Sequence, residues 1–500
     1  MTEPDRRDRL SAQQLLDLVM DAGSWSSWDS APERGEISAE YAADLDRAAQ
    51  RTGLDESVMT GEARLRGRRI GVLVGEFGFL AGSIGVASAK RLVAAVKRAT
   101  AEGLPLVAAP VSRGTRMQEG TPAFVWMVRI AAAIADHKAA GLPYLVYLRH
   151  PTTGGVMASW GSLGHVTVAE PEALLGFLGP RVYEAIYGRP FPVGVQTSEN
   201  LYAHGLIDAV VEPTDIADLL DRTLTILQAP GDEVVPALPQ RPVQEVDTWE
   251  SITRSRREDR PGIRRLLKYA ATDVVPLNGT GEGETEPGLM LALARFGDTP
   301  CVLLAQDRRG QTESTPLGPG ALREGRRGMR LAEDLRLPLL TVIDTPGAAL
   351  SAEAEEGGMA GEIARSLATL VSLRAPTLSL MLGQGTGGGA LALLPTDRVI
   401  AAQHAWLSPL PPEGASAIVH RDLDHAPEMA RAQRVSSREL QRAGIVDVVV
   451  PELPDAADEP EEFCRRVGQV IRHELAWLRR QDVGSLIARR DRGQIRIADG

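Results

Sequence analysis

Leu104-Pro105-Leu106-Val107 runs through an apolar stretch into Ser112-Arg113-Gly114-Thr115. Leu337-Pro338-Leu339-Leu340, 233 residues further on, runs through another into Thr345-Pro346-Gly347-Ala348. The same spacing relates Leu142-Pro143, leading to Thr153-Gly154-Gly155, to Ala375-Pro376, leading to Thr386-Gly387-Gly388. A third pair, His204-Gly205-Leu206-Ile207-Asp208 and Ala443-Gly444-Ile445-Val446-Asp447, drifts by only six. Three ordered matches mark an internal duplication, and self-similarity of this kind sets the fold before any single motif does.

Each half reads as repeated strand, turn and helix. Residues 70–74, 106–109, 144–148, 301–304, 339–343 and 377–382 are short, continuous apolar runs, as strands buried on both faces require. Residues 87–101, 124–140 and 360–373 carry apolar positions at three- and four-residue spacing, the mark of amphipathic helices between those strands. The fold class is therefore α/β, twice over in tandem. Residues 1–60 are expected as a helical appendage, 61–228 and 251–485 as the two domains, the proline-rich 229–250 as a linker, and 486–500 as a charged tail.

Composition narrows the function. A formal charge of −11 leaves no positive excess for a phosphate backbone, so no nucleic acid partner is expected. Two cysteines, Cys301 and Cys464, build neither a disulfide framework nor a four-cysteine zinc site, and read as buried small hydrophobes. The charged N-terminus is not followed by an apolar segment, and residues 375–396 hold too many glycines and prolines to span a bilayer. A cytoplasmic protein without membrane attachment is expected.

In both halves a buried strand ends in adjacent glycines followed by a helix-like stretch. Backbone N–H groups without partners gather at such a turn, and glycine lets a ligand approach them closely. The turn suits either a phosphate or an oxyanion developing on a carbonyl. Gly383, Gly385 and Gly388 match a dinucleotide fingerprint, but no acid stands about 20 residues on, around Ser408. The repeated feature is the glycine pair itself. Gly114-Thr115 and Gly347-Ala348 lie 40 or 41 residues before those pairs, so one N–H from each turn can meet on a single oxygen. Two such holes in one chain point to a group passed between two carbonyl compounds.

At these residues the sequence resembles the carboxyltransferase component of biotin-dependent acyl-CoA carboxylases, in the crotonase superfamily. Ser112-Arg-Gly-Thr-Arg-Met-Gln-Glu-Gly120, Pro151-Thr-Thr-Gly-Gly-Val156, Gly176-Phe-Leu-Gly-Pro-Arg-Val182 and Gln196-Thr-Ser-Glu199 resemble the β-type domain. Ile343-Asp-Thr-Pro-Gly-Ala348, Ala354-Glu-Glu-Gly357, Gly383-Gln-Gly-Thr-Gly-Gly-Gly-Ala-Leu391 and Pro412-Glu-Gly-Ala415 resemble the α-type domain. The resemblance implies two tandem crotonase-like (ClpP/crotonase) domains and carboxyl transfer from carboxybiotin to the α-carbon of acetyl-CoA or a short acyl-CoA, both oxygens becoming enolate-like. It assigns Gly154 and Gly155, with Gly114 and Thr115, to the acyl-CoA thioester, and Gly387, Gly388 and Gly389, with Gly347 and Ala348, to biotin. The internal repeat favours Gly387 and Gly388 there, the family pattern Gly388 and Gly389. Arg116 reads either as a CoA-phosphate ligand or as an ion-pair partner, Gln196 as a further cofactor-binding residue, and Glu119 as a cap or ion pair.

The resemblance implies no metal, and biotin held on a separate carrier, since none of the four lysines sits between methionines. Biotin carboxylase and carrier protein are the expected partners, and a homodimer or homohexamer the expected assembly. Three departures stand out: Arg113 in place of a glycine, Thr115 in place of an alanine, and Gln384 in place of a glutamate. Two other readings stand beside this one: a biotin-independent malonyl-type thioester decarboxylase, which keeps the fold and holes, and a non-catalytic carboxylase-associated paralogue, for which Arg113 blocking the first hole is the cause.

Overall fold

The computed structural model describes residues 9–238 and 241–491. The chain divides into two compact units, Met1–Leu224 and Thr225–Gly500. The first is built on a sheet ordered Ser26–Ser27, Val58–Leu65, Arg68–Gly75, Leu106–Ala109, Tyr144–Leu148, Val166–Ala169, Ala209–Val210. The second follows the order Asp273–Leu277, Leu289–Phe296, Thr299–Gln306, Leu339–Thr345, Thr377–Thr386, Arg398–Ala402, Val448–Val450, with Trp406–Ser408 beside the end of Thr377–Thr386. In both sheets the first three strands pair antiparallel and the rest parallel. Strand order and sense match at every step, so the duplication read from three motifs extends to the whole topology.

The central parallel strands Leu106–Ala109, Tyr144–Leu148 and Leu339–Thr345 are buried throughout, as their largely apolar sequences demand. Expected helices appear as Val86–Ala101, Gly120–Ala139 and Met359–Ser372. Cys301 and Cys464 are free and buried, and burial pushes both thiols up, that of Cys464 to about 12.

The structure adds detail at the segment ends. The N-terminal segment is a working layer of the first unit: Leu15, Leu16 and Val19 of helix Ala12–Val19 are buried and line a small cavity with Val72, Val107 and Tyr147. The segment 229–250 belongs to the second unit, since Asp232 accepts hydrogen bonds from Arg472 Nε at 3.0 Å and Thr299 Oγ1 at 2.9 Å. Residues 486–491 are not tail. Helix Val483–Asp491 buries Leu486, and Arg490 bonds Asp397 and the Leu373 and Ala375 carbonyls at 2.7–2.8 Å. Composition reads that arginine as solvated; the structure gives it a buried acceptor set. The remainder of the expected tail, 492–500, lies outside the described residues.

Candidate active site: two backbone holes

Each hole is made where two strand ends approach. In the first unit, Ser112 pairs with Thr152 in an isolated parallel bridge, and Ile84 with Thr115. In the second, Thr345 pairs with Gly385 and Leu317 with Ala348, every residue 233 further along. Backbone conformation repeats as well: Gly114 and Gly347 have φ of +118° and +139°, Gly154 and Gly387 +67° and +65°. These left-handed positions are why glycine stands at all four. The correspondence pairs Gly387 with Gly154 and Gly388 with Gly155, the register of the internal repeat.

The turns meet closely. A Cβ on Gly154 would lie 3.0 Å from Gly114 Cα, and one on Gly155 2.9 Å from Thr115 Oγ1. In the second unit, a Cβ on Gly347 would lie 3.7 Å from Thr386 Cγ2, and one on Gly389 3.6 Å from the Ala348 nitrogen. The expected convergence of two turns is thus present in each half.

Hydrogen bonding decides which N–H groups remain available. Gly114 N–H donates to Ser112 Oγ at 2.9 Å, and Gly347 N–H donates to Thr345 Oγ1 at 3.1 Å. Gly154 N–H is spent on the Phe177 carbonyl at 2.9 Å and the Gly176 carbonyl at 3.2 Å. Three glycines expected as donors therefore shape the turns instead. Thr115, Gly155 and Ala348 retain N–H groups with no acceptor within the described residues. Gly388 and Gly389 stand second and third in helix Gly387–Leu391, where geometry provides no intrahelical acceptor, and the N-cap Thr386 side chain makes no capping bond. The donor pairs that remain are Thr115 with Gly155, and Ala348 with Gly388 or Gly389.

Arg116 takes the ion-pair alternative, inside the first unit and not at its surface. Its side chain is fully buried, with Nη2 and Nη1 donating to the two Glu56 carboxylate oxygens at 2.8 and 3.0 Å, and further bonds reaching Ser57, the Ser83 carbonyl and Tyr41. Burial opposes the Glu56 charge, but the Arg116 hydrogen bonds and charge outweigh it and hold that carboxyl at about 2. Gln196 is bonded at one end only: its amide nitrogen donates to the Leu178 carbonyl at 2.7 Å, while its buried Oε1 has no partner among the described residues. Glu119 accepts from Val86 N–H at 2.6 Å at the start of helix Val86–Ala101, the capping role expected, and from the Tyr41 hydroxyl at 2.5 Å. Arg113 is exposed, its guanidinium 5.4 Å from the Phe77 ring centroid.

The dinucleotide fingerprint fails on geometry. Gly383 and Gly385 lie inside strand Thr377–Thr386, where a Cβ would meet Asp344 Oδ1 at 2.5 Å and the Trp406 carbonyl at 2.7 Å respectively. They are small for packing reasons. Sequence reading passed over Ser112, Thr345 and Asp344, although all three stand inside quoted motifs; Glu56, Gln306 and Gln311 carry no motif and reach the holes only through folding. Among the described residues no cluster of three or more His, Cys, Asp or Glu could hold a metal, and no helix is long and apolar enough to cross a membrane.

The family pattern described as the carboxyl transferase domain matches residues 5–486. A Mycobacterium tuberculosis protein named as a probable biotin-dependent acyl-coenzyme A carboxylase beta3 subunit is 59% identical over 94% of this chain and 95% of its own length. The acetyl-coenzyme A carboxylase carboxyl transferase subunits beta/alpha of Salinispora tropica are 36% identical over 97% of this chain and 90% of that protein. Among solved structures, a transcarboxylase 12S hexamer with hydrolysed methylmalonyl-coenzyme A bound aligns with a TM-score of 0.74 at 19% identity, covering 95% of this chain and 90% of that one.

Proposed function

The chain belongs to the carboxyl transferase family and is a carboxyl-transferring enzyme, and from that premise we propose that its two holes serve the two ends of one transfer within a biotin-dependent acyl-CoA carboxylase. Thr115 and Gly155 N–H groups receive the thioester oxygen of acetyl-CoA or a short acyl-CoA; Ala348 and Gly388 N–H groups receive the ureido oxygen of biotin. Carboxybiotin on a separate carrier protein would supply the carboxyl group as CO2, and the biotin nitrogen freed by breaking that N–C bond would take the α-proton the acyl group gives up. What this chain does is hold donors in place before charge develops, so that no dipole need reorganise during reaction. Removing one such donor typically costs about 100- to 1000-fold in rate. No side chain is required as base.

The carrying observation is the repetition of an unspent donor pair in both halves at one spacing. A decarboxylase acting without biotin needs only one hole, and a scaffold needs neither. A separate biotin carboxylase and carrier are the partners this reading requires, and a homodimer or homohexamer the assembly. Purified chain is to be given malonyl-CoA with and without free biotin. Release of CO2 only when biotin is present supports transfer; equal release without it replaces the reading with the decarboxylase, and none in either condition favours the scaffold.

A further inference from the structure

Gln306 closes strand Thr299–Gln306, whose other residues are almost all apolar, and is 1% exposed. A carboxamide is tolerated there only if bonded at both ends. Its Nε2 donates to the Gly389 carbonyl at 2.8 Å, and its Oε1 accepts from Asp344 N–H at 3.2 Å. One amide thus ties the glycine helix to the strand that ends in the Ala348 turn. Gln311 repeats the move from the loop that follows. Its Nε2 donates to the Asp344 carbonyl at 3.1 Å, and its Oε1 accepts at 2.6 Å from the Thr345 hydroxyl, whose oxygen in turn accepts from Gly347 N–H. The peptides on either side of the Asp344 Cα are each held by one glutamine, and its carboxylate accepts from Gln384 N–H at 3.2 Å.

The first unit lacks this device. Strand register pairs Gly71 with Leu106 and Val302 with Leu339, which sets Gly75 opposite Gln306 in the duplication, and Val111 opposite Asp344. Gly75 packs its bare Cα there; a Cβ would lie 2.9 Å from the Val111 nitrogen. At this strand position the first unit packs backbone on backbone, and its turn is buttressed instead by the buried Arg116–Glu56 ion pair, where the second unit uses two glutamines.

We propose that Gln306 and Gln311 are positioning residues of the second hole, fixing the separation of the Ala348 and Gly388 donors and so governing the biotin side of the transfer. The last clause rests on the assignment of biotin to that hole.

Gln306→Leu removes both bonds at similar volume. In biotin-dependent malonyl-CoA decarboxylation it is expected to lower kcat at least tenfold and raise KM for biotin, with KM for malonyl-CoA within twofold of wild type. Amide hydrogen exchange should quicken in peptides covering residues 343–349 and 386–391, and stay unchanged across 112–117 and 152–157. Gln311→Met, at a half-buried site outside the strand, should give the same pattern more weakly, and stands in if Gln306→Leu does not fold. Unchanged kinetics with unchanged exchange overturns the proposal, as does faster exchange in both halves, which means general loosening. Exchange confined to the second half with a raised KM for malonyl-CoA keeps the positioning role and overturns the biotin assignment. Should wild type prove inactive, the exchange result alone decides.

Discussion

The two holes share one backbone and differ in what stands behind it. Behind Thr115 lies an ion pair, Arg116 with Glu56, wholly removed from solvent. Behind Ala348 the residue corresponding to Arg116 is Ala349, and the support comes from neutral amides, Gln306 and Gln311, gathered on Asp344. Ser112 and Thr345 hold the turn glycines by the same hydroxyl bond in both. The difference teaches that selection on main-chain donors fixes φ and turn shape, while the side chains that stiffen the turn are free to diverge. A buried ion pair is the costlier buttress, because either partner alone is a stranded charge.

That contrast can be broken most forcefully at Arg116. Arg116→Met leaves the buried Glu56 carboxylate with only the half-buried Arg34, at 3.1 Å, as a cationic partner and should destabilise the first unit by up to about 3 kcal/mol. The double replacement Arg116→Met with Glu56→Leu should recover most of the loss, as read from denaturant midpoints; a double variant no better than the single would show that the neighbouring Tyr41, Ser57 and Ser83 bonds carry the turn.

Next in size is the donor itself. Thr115→Pro and Ala348→Pro each delete one N–H, and each should lower kcat by about 100- to 1000-fold, while Thr115→Ala, which keeps the N–H, stays near wild type. Unequal losses from the two prolines, with melting temperatures alike, would show that the two half-reactions do not share the barrier.

The smallest effect is a pH signature of the second unit. Glu324 in helix Pro319–Asp334 is buried with Oε2 unpartnered, and burial raises its carboxyl to about 8 from an ordinary 4.5. A folded value above the unfolded one gives stability that is complete below 4.5 and lost as pH rises through about 8. Glu324→Gln should therefore flatten the decline in melting temperature between pH 5 and 9. Glu56, held near 2, gives the opposite slope, its contribution lost as pH falls from 4.5 toward 2.

The sequence alone determined the duplication, the α/β class and the two sites of convergence, because continuous apolar strands and left-handed glycines are local requirements that chemistry writes directly into residue type. It also contained Ser112 and Thr345 in plain view at matching positions. What only the tertiary structure decided is which N–H groups are spent: Gly114, Gly154 and Gly347 are indistinguishable from Gly155 and Gly388 until their acceptors are placed. The same holds for Arg116, an arginine like many others in sequence, whose meeting with Glu56 across 60 residues selects the ion-pair alternative and makes it a buried support. Gln306 and Gly389 lie 83 residues apart. Hydrogen-bond satisfaction is a property of spatial neighbours, and residues this distant become neighbours only when the sheet forms.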